Sequence, residues 1–253
     1  MTIIFSIVNQ KGGVGKTTTA INLAAVFAAL KKKVLLIDLD PQGNASSSFN
    51  VNTDNGSIYR VISNEQSIQE AIVKTKFSSL DIIPCDTNLA SAELELSSLE
   101  NRENVLKEKI KPIANGYDFI LIDCPPSLGL LTINSLVASN KVLIPLQCEF
   151  FALDGLAHLL ETADRIRANF NAQLEVDGVV LTMYDKKSIQ TKEIEADIRN
   201  FLGDKVYQTT IPRNIKLSEA TSHGIPAIVY DTNCAGSEAY LRFGEEVIKK
   251  IWK

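Results

Sequence analysis

Seven short apolar runs punctuate the chain: Ile3–Val8, Val34–Leu39, Leu80–Ile83, Phe119–Ile122, Val142–Leu146, Val179–Met183 and Val206–Ile211. Most are continuous rather than alternating, the pattern of strands covered on both faces. Between them, apolar residues recur at helical spacing in Thr17–Leu30, Leu130–Ser139, Leu153–Phe170 and Thr191–Phe201. This alternation predicts an α/β fold, a mostly parallel twisted sheet with helices on both faces. The stretch from Ser237 to Lys253 reads as an amphipathic helix with Tyr240, Leu241, Val247, Ile248, Ile251 and Trp252 on its apolar side. Asn50–Ser67 is polar and turn-rich, and is expected to be a surface excursion. No repeat or low-complexity linker divides the chain, so residues 1–253 are expected to form one domain.

In such sheets the crossovers are right-handed and ligands sit beyond the carboxyl ends of the strands. That rule selects the loops Asn9–Lys16, Asp38–Asn44 and Asp123–Gly129, and the segments after Met183 and Ile211. Residues 9–18 read Asn-Gln-Lys-Gly-Gly-Val-Gly-Lys-Thr-Thr, directly between a strand and a helix. Gly12, Gly13 and Gly15, around Val14, let backbone N–H groups turn toward an anion. The start of the helix, through Thr17 and Thr18, adds unpaired donors and the positive end of its dipole. Lys16 brings a point charge to the β- and γ-phosphates, and the Thr17 hydroxyl is placed to ligate Mg²⁺. The bland alternative is a glycine turn beside a solvated lysine; the acidic strand ends elsewhere favour a P-loop site for ATP and Mg²⁺.

The formal net charge of −4 argues against an evenly basic nucleic-acid coat. The charge is unevenly spread. From Tyr184 onward there are 11 Lys and Arg against 10 Asp and Glu, which leaves residues 1–183 with 15 of the 26 cations and 20 of the 30 anions. A local basic patch in the last third stays open on this count. Cys85, Cys124, Cys148 and Cys234 lie far apart with no C-x-x-C pair, which disfavours a zinc or iron–sulfur site and suits a reducing compartment. The N-terminus has no basic n-region, and its apolar run is too short for a signal peptide or membrane span, so a cytoplasmic protein is expected.

The glycine loop departs from G-x-x-x-x-G-K-[ST], because Gln10 stands where the first glycine would fall and Lys11 is added. Lys11-Gly-Gly-Val-Gly-Lys-Thr-Thr18 resembles the deviant Walker A box of the ParA/MinD family. Val34-Leu-Leu-Ile-Asp-Leu-Asp-Pro-Gln-Gly-Asn44 is similar to the family's second box, and Asp123-Cys-Pro-Pro-Ser127 to its Walker B strand end. Ile211-Pro-Arg-Asn-Ile-Lys-Leu-Ser-Glu-Ala220 is similar to its nucleotide-side loop. Together these motifs span nearly the whole chain, and the closest resemblance is to the short ParA type often called Soj. It implies an ATPase that forms an ATP-dependent homodimer, with Lys11 of each subunit on the other's phosphates. It further implies non-specific binding to double-stranded DNA, release by hydrolysis that a ParB-type centromere-binding protein stimulates, and a nucleoid-associated role in chromosome or plasmid segregation. With the first strand at Ile3, no N-terminal operator-binding domain is expected.

Phosphoryl transfer to water needs an oriented water more than a strong base. The resemblance gives that role to Asp40 and places Asp38 in support of the same region and the Mg²⁺ shell. Asp123 would hold a water on Mg²⁺, an ion that keeps most of its waters. For each acid the alternative is a turn or helix-cap residue. Pro212, Arg213 and Asn214 are the adenine candidates, although Asn214 reads equally as a cap. Glu149 and Asp154 either face a partner subunit or start a surface helix. Lys186, Lys187, Lys192 and Lys216, with Arg213, are the DNA candidates, against a reading as solvated charges. Two rivals share the scaffold. A MinD-like membrane helix is disfavoured by Glu245 and Glu246 in a short tail, and an ATP-dependent metabolic enzyme such as a carboxylase or amide ligase lacks a nameable substrate motif.

Overall fold

A computed structural model describes residues 2–252; Lys253, at the end of the expected C-terminal helix, lies outside them. In chain order the elements are β1 (Ile3–Ile7), α1 (Lys16–Ala29), β2 (Val34–Asp38), α2 (Asn44–Ser47), α3 (Ile58–Ile62), β3 (Val73–Lys74), β4 (Leu80–Ile83), α4 (Leu89–Ser97) and α5 (Val105–Ile110). They continue with β5 (Phe119–Asp123), α6 (Leu130–Ala138), β6 (Lys141–Gln147), α7 (Ala152–Asn169), β7 (Glu175–Thr182), α8 (Ile189–Leu202), α9 (Ile215–Ser222), α10 (Ala227–Tyr230) and α11 (Ala235–Ile251). The seven strands form one sheet in the order β3-β4-β2-β5-β1-β6-β7. Every pairing is parallel except β3 with β4 at the edge.

All residues of β2 and β5 are buried, as continuous apolar runs require when helices cover both faces. Alternate side chains feed two cores. Leu35 and Ile37 join α3 to α8 on one face, and Val34 and Leu36 join α1 and α9 to α11 on the other. Register then places the site. Ile7 and Asp38 both lie opposite Asp123, so β1, β2 and β5 end flush and two carboxylates leave adjacent strands at the same level.

Two expectations need correction. Val206–Ile211 is no strand of the sheet. It touches β7 through the isolated bridge Val179–Val206, and Tyr184 bridges Pro212 just beyond, while the Gln208 and Thr209 amides between donate to Glu246 of α11 at 2.7 and 2.9 Å. Asn50–Ser67 is also more than a surface excursion: Ser57 caps α3, and Ile58, Val61 and Ile62 enter the core. Three apolar positions in one short turn are too few to show helical periodicity.

Most of the apolar side of α11 is spent on packing, although Trp252 at its end stays half exposed. Tyr240, Phe243 and Val247 are fully buried, the Tyr240 hydroxyl meets Thr19 at 3.1 Å, and Gly244 permits a close approach to α1. A Cβ on Gly244 would lie 2.4 Å from Val26 Cγ1. No helix among the described residues is long and apolar enough to cross a membrane. Gly244→Val should therefore lower the unfolding free energy by about 1–3 kcal/mol through overpacking, measured as a fall in the urea midpoint.

Candidate nucleotide site

The loop between β1 and α1 is built around left-handed backbone at Gly13 (φ 77°) and Gly15 (φ 88°), a region that side chains with a Cβ resist. Gly15 is the N-cap of α1 and offers no capping side chain, so the first-turn amides remain available to an anion. Two residues that sequence reading passed over hold the loop in place. Buried Asn9 donates to Pro145 O at 2.8 Å and accepts from the Lys11 amide at 2.9 Å. Thr182, at the end of β7, donates to Val14 O at 2.7 Å. Both stand at strand ends, where the ligand rule pointed, but neither residue type announces a clamp.

Lys16 lies almost wholly inside this cradle, its ammonium 3.2 Å from Lys11 O. Burial lowers its pKa, and the charges of Asp123 and Asp40 oppose that shift. Asp123 is fully buried and neither carboxylate oxygen has a hydrogen-bond partner. Burial, then the neighbouring Asp38, drives its pKa well above the usual carboxylate range, which the nearby Thr17 hydroxyl and Lys16 only partly offset. An orphaned buried carboxylate facing a threonine hydroxyl and an ammonium is a donor set that fits a hydrated Mg²⁺ carrying nucleotide phosphates. No cluster of three or more His, Cys, Asp or Glu suited to a metal occurs among the described residues, and Mg²⁺ on phosphates needs none.

Asp38 and Asp40 divide differently than sequence suggested. Asp38 Oδ2 accepts from the Ser46 amide at 2.7 Å and its hydroxyl at 2.6 Å, tying β2 to α2. Burial pushes Asp38 up to about 6, against those hydrogen bonds. Its Oδ1 accepts only a long bond from the Asp40 amide, at 3.4 Å. Asp40 Oδ1 accepts only from the Gln42 amide, at 3.0 Å, in a nearly buried turn beside the phosphate loop. Lys11 points away from the cradle and pairs with Glu149. Asp154 lies exposed in the first turn of α7, the helix-start alternative.

Beside the loop a cavity of about 170 Å³ is lined by Gly15, Thr18, Pro212, Arg213, Asn214 and Tyr240. The three adenine candidates thus reach the nucleotide side, and Asn214 also caps α9 by accepting from the Lys216 amide at 2.8 Å. A larger cavity, about 800 Å³, lies at the opposite end of the strands around Lys33, Lys74 and Tyr117, so size alone does not mark the site. Among the DNA candidates, Lys186, Lys187 and Lys192 are exposed, as is Arg213, and the Tyr184–Pro212 bridge sets their two segments side by side. Lys216 is instead half-buried and paired with Glu219 at 2.8 Å.

A family model described as an AAA domain matches residues 1–176. The chromosome partitioning protein ParA of Caulobacter vibrioides is 48% identical over 98% of this chain and 94% of its own. The chromosome-partitioning ATPase Soj of Treponema pallidum is 45% identical over 98% and 97%. Among solved structures, a cobyrinic acid a,c-diamide synthase from Mycobacterium smegmatis with bound ADP and magnesium superposes with a TM-score of 0.87 at 30% identity, over 100% of this chain and 96% of that one.

The buried acids give the site a pH signature. Asp38 has a folded pKa above its unfolded value, so its favourable contribution is complete below about 4 and is lost as pH rises through about 6. Asp38→Asn should gain stability relative to the native chain across that window, by about 2 kcal/mol at pH 7.5 and little at pH 4. Urea unfolding of both proteins at the two pH values measures the gap.

Proposed function

Because the chain belongs to the ParA/Soj family of partitioning P-loop ATPases, we propose that it hydrolyses MgATP and uses the cycle to bind and leave DNA during chromosome or plasmid segregation. The observation that carries this reading is buried, unpartnered Asp123 beside Lys16 and Thr17 at the open start of α1. In this account the loop amides and Lys16 hold the phosphates, while Thr17 and the water-mediated reach of Asp123 hold Mg²⁺. Bound Mg²⁺ would supply charge neutralisation at the phosphates. Asp40 orients the attacking water, and Asp38, itself fixed by Ser46, accepts from the Asp40 amide at 3.4 Å and so steadies its turn.

Lys11 must leave Glu149 before it can reach phosphates of a second subunit. An ATP-dependent homodimer supplies that destination, and the second cation would stabilise transition-state charge as an arginine finger does. Phe150 and Phe151 fit this arrangement: they are 79% and 73% exposed next to Glu149, an apolar patch suited to being covered. Lys186, Lys187, Lys192 and Arg213 form the outer cationic surface for non-specific duplex DNA, which requires only a few clustered charges. A ParB-type protein is the natural stimulator of hydrolysis, and the nucleoid the place of action. Burial of Tyr240, Phe243 and Val247 of α11 in the same core as α1 weighs against membrane attachment, leaving Trp252 as the exposed apolar residue at its end. The metabolic reading draws on a neighbour of 30% identity, against 48% to a partitioning protein.

Sedimentation with ATP or ADP, with and without random-sequence duplex DNA, separates these parts. Asp40→Ala should form ATP-dependent dimers that bind DNA in a salt-sensitive way while losing turnover by about a hundredfold or more. Lys16→Ala should lose tight nucleotide binding. Lys11→Ala should bind ATP as a monomer, and a normal ATP-dependent dimer in that variant would refute the role in trans. Joint replacement of Lys186 and Lys187 should weaken DNA binding and flatten its salt dependence. A wild-type monomer indifferent to ATP and DNA would sink the partition reading.

A further inference from the structure

Helix α6 begins one short loop after Asp123, and it begins without a cap of its own. Gly129 occupies the N-cap position and has no side chain to receive an amide, where Ser, Thr, Asp or Asn would ordinarily stand. The missing acceptor comes from another element. Glu93, half-buried on α4, accepts from the Leu131 amide through Oε1 at 3.3 Å, placing a negative charge at the positive end of α6. The glycine makes room for that carboxylate: a Cβ on residue 129 would lie 2.0 Å from Glu93 Oε1. Its backbone, φ −75° and ψ −174°, is open to any residue, so space and not conformation requires glycine.

The connection between this cap and Asp123 is stiff. Pro125 and Pro126 fix two of the backbone torsions in residues 124–129. The Thr132 hydroxyl donates to Ser127 O at 2.6 Å, closing the loop onto the first turn of α6. The Asp123 carboxylate has only the nearby Thr17 hydroxyl and the Lys16 ammonium beside it, both across the site, so its aim also depends on the backbone at both of its ends. One end is β5 in the sheet. The other is the loop from Cys124, whose amide donates to Ile7 O at 3.3 Å and whose far end Glu93 pins.

We propose that Glu93 is a positioning residue for hydrolysis, which caps α6 from α4 and thereby keeps the loop leaving Asp123 in the geometry that faces the phosphate site. This rests on the ATPase reading above. Removing the cap leaves the phosphate cradle between β1 and α1 intact, so nucleotide affinity stays while turnover falls. Glu93→Ala and Gly129→Ala break the same bond from opposite sides, the second by pushing the carboxylate out of its place.

The test combines steady-state ATP hydrolysis with amide hydrogen exchange of residues 124–133 in the nucleotide-free protein. Each single variant should lose about fivefold to tenfold in kcat, the rate equivalent of a lost N-cap, with KM for ATP within about twofold. The double variant should be no worse than either single one, since both remove one interaction. Glu93→Gln, whose amide oxygen still accepts, should recover most of the rate. Exchange across residues 124–133 should quicken in Glu93→Ala and Gly129→Ala and stay near native in Glu93→Gln. Native kcat in Glu93→Ala, additive losses in the double variant, or unchanged exchange would each overturn the proposal. A wild-type protein that neither binds nor hydrolyses ATP would overturn the ATPase reading instead.

Discussion

Parallel register brings Asp38 and Asp123 to neighbouring strand ends, both out of water, with one buried ammonium, Lys16, facing them. Two unit charges one strand spacing apart repel by something on the order of 3 kcal/mol at an effective dielectric near 20. Evolution of a stable core alone would place apolar residues here, as it does at every other position of β2 and β5. The carboxylates are tolerable there because burial favours their protonated forms. A divalent cation at these strand ends would offset that charge, and Lys16 with the loop amides would meet the phosphates it carries. Much of the surrounding structure can be understood as holding that unbalanced centre in shape.

The holding is done from outside the loops that carry the chemistry. Asn9 fastens the phosphate loop to β6, Thr182 fastens it to β7, and Ser46 ties Asp38 to α2. Glu93 reaches from α4 to the start of α6. Each contact joins a glycine-rich or proline-stiffened segment to an element with its own place in one of the two cores. Preorganisation of this kind matters for phosphoryl transfer, where catalysis is mostly positioning and electrostatics.

The sheet and the phosphate loop were legible in the sequence because both are local. A buried strand declares itself by four or five apolar residues in a row, and Gly-Val-Gly-Lys-Thr-Thr between strand and helix has one chemical use. The carboxyl-end rule also selected the loops that hold Asp40 and Asp123, whose roles follow from the family resemblance. What the sequence hid depends on contacts far along the chain. Val206–Ile211 has the composition of a strand, but Glu246 of α11 takes two of its amides. Which Asp38 oxygen faces the site is set by Ser46, eight residues away, which takes Oδ2. Asn214 turned out both to cap α9 and to line the nucleotide-side cavity. Lys216 seemed equivalent to Lys186, yet Glu219 one helical turn later claims it. Asn9, Thr182 and Glu93 have ordinary side chains whose roles exist only once strands and helices have met.

Thermal unfolding of the native chain and of Asp123→Asn shows whether a divalent cation on nucleotide phosphates completes the buried carboxylate centre. With ATP fixed at about a hundred times its dissociation constant, Mg²⁺ in place of EDTA should raise the native midpoint by roughly 5–10 °C. The same exchange should move Asp123→Asn little. An equal Mg²⁺-dependent rise in both proteins, or none in the native chain, would contradict the account.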